Sequence, residues 1–75
     1  MIKLPILSGK KLLKILQQKG YRAVRKRGSH VFVEDQNGIR ITVIPIHSNE
    51  DLGRGLLKSI LNDLDLSAED ILDLN

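Results

Sequence analysis

No cysteine and no tryptophan occur in the chain, and there is one tyrosine and one phenylalanine. The missing thiols exclude disulfides and any thiolate zinc site. The scarcity of rings argues against a platform on which successive bases of a single strand could stack. No apolar run approaches the roughly 18 residues of a membrane span. The opening MIKLPILSGKK holds only a short apolar patch with no small-residue cleavage site after it, so it does not read as a signal peptide. The cytoplasm is therefore the expected compartment. Internal repeats, linkers and low-complexity segments are missing too.

Acidic residues are absent from the first 27 positions, which hold nine Lys/Arg. Residues 48–75 reverse this, with Arg54 and Lys58 set against seven acids. The net charge of +3 thus conceals a polarised chain. A one-sided basic segment suits a polyanion, most commonly nucleic acid. A solvated basic face with no partner is the plainer alternative. At 75 residues, one domain spanning 1–75 is expected, with a net stability of about 3–5 kcal/mol.

Local signals give an order of elements. Ser8 can cap a helix over residues 9–19, with Leu12, Leu13, Ile15 and Leu16 on its apolar side and Gly20 as its stop. YRAVRKR reads as a strand with poor alternation, in which either Tyr21 and Ala23 or Val24 could face the core. HVFVE and IRITVI alternate better and are rich in β-branched residues. The DQNG between them predicts a β-hairpin. Pro45 should end the last strand, because it cannot donate to the ladder. Ser48 and Asp51 resemble a capping box before a second helix, whose apolar stripe is Leu52, Leu56, Ile60 and Leu64, widened by Leu57 and Leu61. Gly53 and Gly55 weaken its first turn, which can delay the start to Gly55. Ser67 and Asp70 predict a short final helix. The expected fold class is α+β, in the order α-β-β-β-α, with a three-stranded antiparallel sheet and helices on one face.

Candidate chemistry centres on His30, in KRGSHVFV, with His47 as the only other histidine. Neither has the spacing of a metal site, and the carboxylates form no cluster, so no metal and no cofactor are expected. Walker and dinucleotide fingerprints are missing; Gly53 and Gly55 fit a helix start or close packing better than a phosphate loop. Ser29 and His30 would point to opposite faces of one strand, which disfavours a Ser–His nucleophile pair. A partly buried histidine at a strand start is the bland account of His30. Three features favour chemistry instead. Gly28 permits close approach of backbone or ligand. Arg25, Lys26 and Arg27 disfavour a second positive charge on the ring, leaving it able to accept a proton. The same cations would attract a phosphodiester and offset charge developing on it.

These features match a reaction that RNA makes possible. The ribose 2′-OH is a built-in nucleophile, and a neutral imidazole can take its proton. His47 is a candidate to protonate the leaving 5′-oxygen, or else an ordinary polar residue in the loop before the second helix. Lys10, Lys11 and Lys14 would extend the electrostatic footprint. A basic α-β-β-β-α domain can also bind double-stranded RNA by shape with no catalysis at all. A third possibility is a protein-interaction subunit whose basic surface meets an acidic partner.

At these residues the chain resembles the HicA-type (YcfA-like) toxins of toxin–antitoxin pairs, over residues 4 to about 72. The likeness lies in the order and spacing of Ser8-Gly9-Lys10, Gly20, Gly28-Ser29-His30, Gly38, Pro45-x-His47, Leu52, Gly55 and Ile60-Leu61. The chain departs from the family at Gly55-Leu56-Leu57, where Gly-Thr-Leu is frequent, and in the apolar Ile46 after Pro45. The resemblance implies a fold like that of double-stranded-RNA-binding domains. It also implies an mRNA interferase, an endoribonuclease acting without the ribosome, with the catalytic histidine at position 30. Ser29 and His47 are the candidate auxiliaries beside it. A cognate HicB-type antitoxin covering the site is implied as partner.

Overall fold

A computed structural model describes residues 4–47 and 50–72. Helix α1 (Gly9–Gln18) is followed by strands β1 (Arg22–Arg27), β2 (His30–Glu34) and β3 (Ile41–Pro45), then by α2 (Arg54–Asp63) and the short α3 (Ala68–Leu72). The strands form one antiparallel sheet in the order β1-β2-β3. This is the α+β arrangement expected from the sequence, like that of a double-stranded-RNA-binding domain.

Helix α1 starts where Ser8 accepts the Lys11 backbone N–H at 3.2 Å, satisfying one of the free donors of the first turn. Its stop is equally local. Gly20 adopts φ 99° and donates to the Gln17 carbonyl, while Tyr21 N–H reaches back to Leu16. Leu12, Ile15 and Leu16 are buried, and Lys10, Lys11 and Lys14 stay exposed.

The two hairpins differ. Arg27 pairs with His30, so Gly28 and Ser29 alone make the β1–β2 turn. Gly28 has φ 58°, as the first central residue of a two-residue turn of the II′ kind requires. The β2–β3 loop is longer and is organised by Asp35. Its carboxylate accepts from the N–H groups of Asn37, Ile39 and Arg40. Those donors are drawn into the loop, so the strand expected from Ile39 begins at Ile41.

One face of the sheet carries Val31, Val33, Thr42 and Ile44, all buried against Leu12 and Leu16 of α1, Leu57, Ile60 and Leu61 of α2, and Leu64 and Ile71. The Thr42 hydroxyl donates to Asp63 at 2.9 Å, which ties β3 to the end of α2. On the opposite face none of His30, Phe32, Glu34, Ile41, Val43 or Pro45 is buried. The helices thus lie on one side, and the other side is open.

Two details of the second helix differ from expectation. It begins at Arg54 after Gly53, which offers no side-chain cap. Ser48, the expected capping residue, lies outside the described residues. Leu52 therefore precedes the helix, and Leu56 is 43% exposed, so the buried stripe is Leu57, Ile60 and Leu61, continued by Leu64. The expected Ser67–Asp70 cap of α3 does form. Asp70 accepts from Ser67 N–H at 2.7 Å and from its hydroxyl at 3.1 Å. These bonds hold the Asp70 carboxyl below its ordinary pKa.

Candidate active site

Three chain segments converge at one end of the sheet. His30 opens β2 directly after the tight turn, and its neighbour across the ladder is Pro45, the last residue of β3. Ile46 N–H then donates to the Ser29 carbonyl at 2.6 Å, which holds the next part of the chain against the turn. His47 follows, its carbonyl accepting from Glu50 N–H at 2.8 Å. Gly9 packs against the same corner: a Cβ built on it would strike the Pro45 carbonyl oxygen. The N-terminal turn of α1, with Lys10 and Lys11, is thereby held at the histidine end.

The imidazoles of His30 and His47 stand edge to face, with centroids 6.3 Å apart and planes at 83°. Both residues are exposed. The sequence raised both histidines but could not say that they meet, because their approach depends on the closure of β3 onto the turn. Ser29 serves this corner through its backbone carbonyl.

The strand register sorts the cations of β1. Arg27 lies opposite His30, Arg25 opposite Phe32 and Arg22 opposite Glu34, so these side chains share the open face. Lys26 lies opposite the buried Val31 and belongs to the helix side. A bulge between Ala23 and Arg25 leaves Val24 exposed, so neither orientation drawn from the sequence holds along the whole strand. Arg22 is engaged by Glu34 at 2.8 Å. The ion pairs found among the described residues involve neither Arg25 nor Arg27.

Phe32 is a residue that sequence reasoning passed over as a site candidate. It lies two positions after His30 on the same face, with the Arg25 guanidinium 6.0 Å from its ring centroid, at the outer limit of a cation–π contact. The period-2 pattern of HVFVE would have placed it there. The phenol of Tyr21, whose pKa is raised mainly by burial and next by the charge of Asp35, lies just before β1 begins, away from this corner.

Among the described residues, no three His, Asp or Glu side chains are grouped as metal ligands would be. No helix among them is long and apolar enough to cross a membrane. What the corner offers is two exposed imidazoles, the guanidiniums of Arg25 and Arg27 on the same open face, and the lysines of α1 nearby.

The family model for the HicA toxin of bacterial toxin–antitoxin systems matches residues 9–66, a span that contains both histidines, the whole sheet and α2. The chain belongs to the HicA toxin family. No curated protein matches it. Membership in the HicA family makes the chain the toxin of a toxin–antitoxin system, with an antitoxin as its partner. The HicA match ends before α3, yet Ile71 of that helix is completely buried, so α3 completes the core beneath the sheet.

Proposed function

We propose that the chain is an endoribonuclease that cleaves mRNA without a metal, using His30 as general base and His47 as general acid. The observation that carries this reading is the pair of exposed imidazoles 6.3 Å apart at the cationic end of an open sheet face. A ring nitrogen reaches its proton partner over about 3 Å, so one phosphodiester can lie within reach of both rings.

In the proposed step, His30 takes the proton of a ribose 2′-OH. The 2′-oxygen then bonds to the adjacent phosphorus. The bond from phosphorus to the 5′-oxygen breaks, and that oxygen takes a proton from the His47 imidazolium. The products are a 2′,3′-cyclic phosphate and a 5′-hydroxyl. Arg27, opposite His30, and Arg25 offset the charge that accumulates on the phosphoryl oxygens. Lys10, Lys11 and Lys14 extend the electrostatic track along α1. Gly28 shapes the turn that presents His30, and Ser29 fixes the position of Ile46. The antitoxin of this reading is of the HicB type.

The test is cleavage of a defined RNA in the presence of chelator. The unaltered protein cuts, and His30→Ala binds with little change in affinity and does not cut. If both proteins bind and neither cuts, the chain is an RNA-binding module. If neither binds even at low salt, the basic surface serves a protein partner.

A further inference from the structure

The open face of the sheet is ordered along β2. His30, Phe32 and Glu34 follow one another on it, because side chains two apart in a strand point the same way. Their neighbours across the ladder on β1 are Arg27, Arg25 and Arg22, in the same order. Arg22 is engaged by Glu34 at 2.8 Å, whereas the ion pairs among the described residues leave out Arg25 and Arg27. A polyanion is therefore drawn to the His30 end of the face and meets a carboxylate at the other.

Phe32 stands between the two ends. It is the chain's one phenylalanine, yet the core is built without it, from Val31 and Val33 on the helix side. Its ring is half-buried, with Arg25 beside it on β1 and Val43 on β3. The Arg25 guanidinium is 6.0 Å from the ring centroid, a contact loose enough to yield to a base. A strand advances about 3.4 Å per residue, so Phe32 lies about 7 Å along β2 from His30, comparable with the length of one extended nucleotide.

The direction of the strands says which nucleotide. β3 runs antiparallel to β2, and His47 follows Pro45, the partner of His30. The order along the face is therefore His47, His30, Phe32. In the proposed reaction His47 attends the leaving 5′-oxygen and His30 the 2′-hydroxyl, so the nucleotide that supplies the hydroxyl lies on the Phe32 side.

We propose that Phe32 stacks on the base of that nucleotide and selects a purine there, whose wider π-face covers more of the ring. The next place along β2 is Glu34, paired with Arg22, so the platform holds a single base. The position assigned to that base rests on the endoribonuclease reading; the stacking itself rests on the sheet face.

The probes are short RNAs with every 2′-hydroxyl methylated but one, so that one linkage can be cut. The base at the free ribose is adenine, cytosine or absent. The unaltered protein should cut the adenine strand fastest and the abasic strand about tenfold or more slowly, with the difference mainly in KM, since the ring holds substrate before and during the reaction. Phe32→Leu should cut all three at the slow rate, and Phe32→Tyr should restore the preference. Thermal melts establish that the variants fold. The chain has no tryptophan, so Phe32→Trp introduces a lone fluorophore. Its emission should be quenched by fully methylated oligoadenylate and not by an abasic strand of equal charge. An abasic strand cut as fast as the adenine strand, a preference that survives in Phe32→Leu, or emission that oligoadenylate leaves unchanged would each overturn the proposal. Quenching by oligoadenylate from a protein that cuts none of the strands would contradict the nuclease reading alone.

Discussion

Gly9, the first residue of α1, packs so closely on Pro45, the last of β3, that no side chain fits between its Cα and the Pro45 carbonyl oxygen. This contact sets the helix against the sheet corner that bears both histidines. Backbone cannot move aside as a flexible side chain can. Gly9→Ala should therefore push α1 away from β3, at a cost of about 1–3 kcal/mol, the range for forcing an extra carbon into a packed site. Thermal denaturation would show the loss. RNA cleavage measured well below the midpoint should fall as well, because Lys10 and Lys11 shift with the helix.

His47 enters the account only through its approach to His30 in space. A pair in which one imidazole must be neutral and the other protonated works within a window of pH. The base fails when it is protonated, which gives the acid limb of the rate profile. The acid fails when it loses its proton, which gives the alkaline limb. His47→Ala should lower the maximal rate about 10²–10⁴-fold and flatten the alkaline limb while leaving the acid limb in place. A pH–rate profile for both proteins checks this. An unaltered profile in the variant would make His47 a bystander.

The register of β1 distinguishes neighbouring cations that sequence could not separate. Arg27 shares a face with His30 and Lys26 does not. Arg27→Ala should weaken RNA binding and reduce the slope of log affinity against log salt by about 0.7, the value for one lost contact to a single-stranded phosphate. Lys26→Ala should change the slope less and leave cleavage closer to that of the unaltered protein. A salt titration of binding for the two variants, side by side, measures the contrast.

Asp70 gives a prediction about stability that is independent of function. Its carboxyl titrates below the ordinary value of 3.8 because the N–H and hydroxyl of Ser67 hydrogen-bond to the charged form. A group whose pKa is depressed by folding stabilises the fold above its unfolded pKa, and the contribution is lost as pH falls through the folded value. Asp70→Ala should therefore melt at a lower temperature than the unaltered protein at neutral pH, and the difference should shrink once the pH is taken well below 3.8. The buried Ile71 beside it makes α3 part of the core, so the cap is felt in the global melt.

Much of this architecture is legible in local chemistry. Ser8, the leucines of α1 and Gly20 mark that helix because each acts on its own turn. The alternation of HVFVE places Val31 and Val33 inward, and the helix-forming pattern after Gly55 places Ile60 and Leu61 inward. Legibility fails where a distant contact decides. The facing of YRAVRKR is set by a bulge against β2, which period-2 reasoning cannot anticipate. Leu56 fits the fourfold stripe yet lies outside it, because the helix starts at Arg54 and its buried side is centred on Leu57 and Ile60. Gly28 has a further part that its neighbours in sequence do not reveal: its φ of 58° makes the turn that joins β1 and β2 as a hairpin, and the space around it stays open. The proximity of His30 and His47, 17 positions apart in the chain, was beyond any local pattern.

The chemistry of the cut ends tests the central claim most directly. A short RNA of known sequence is incubated with the purified protein in chelator, and the termini of the fragments are identified by mass spectrometry. Attack by the ribose 2′-oxygen, with His30 as base, predicts a 2′,3′-cyclic phosphate on one fragment and a 5′-hydroxyl on the other, and neither from His30→Ala. Fragments ending in a 3′-hydroxyl, or cyclic phosphate produced equally well by His30→Ala, would contradict it.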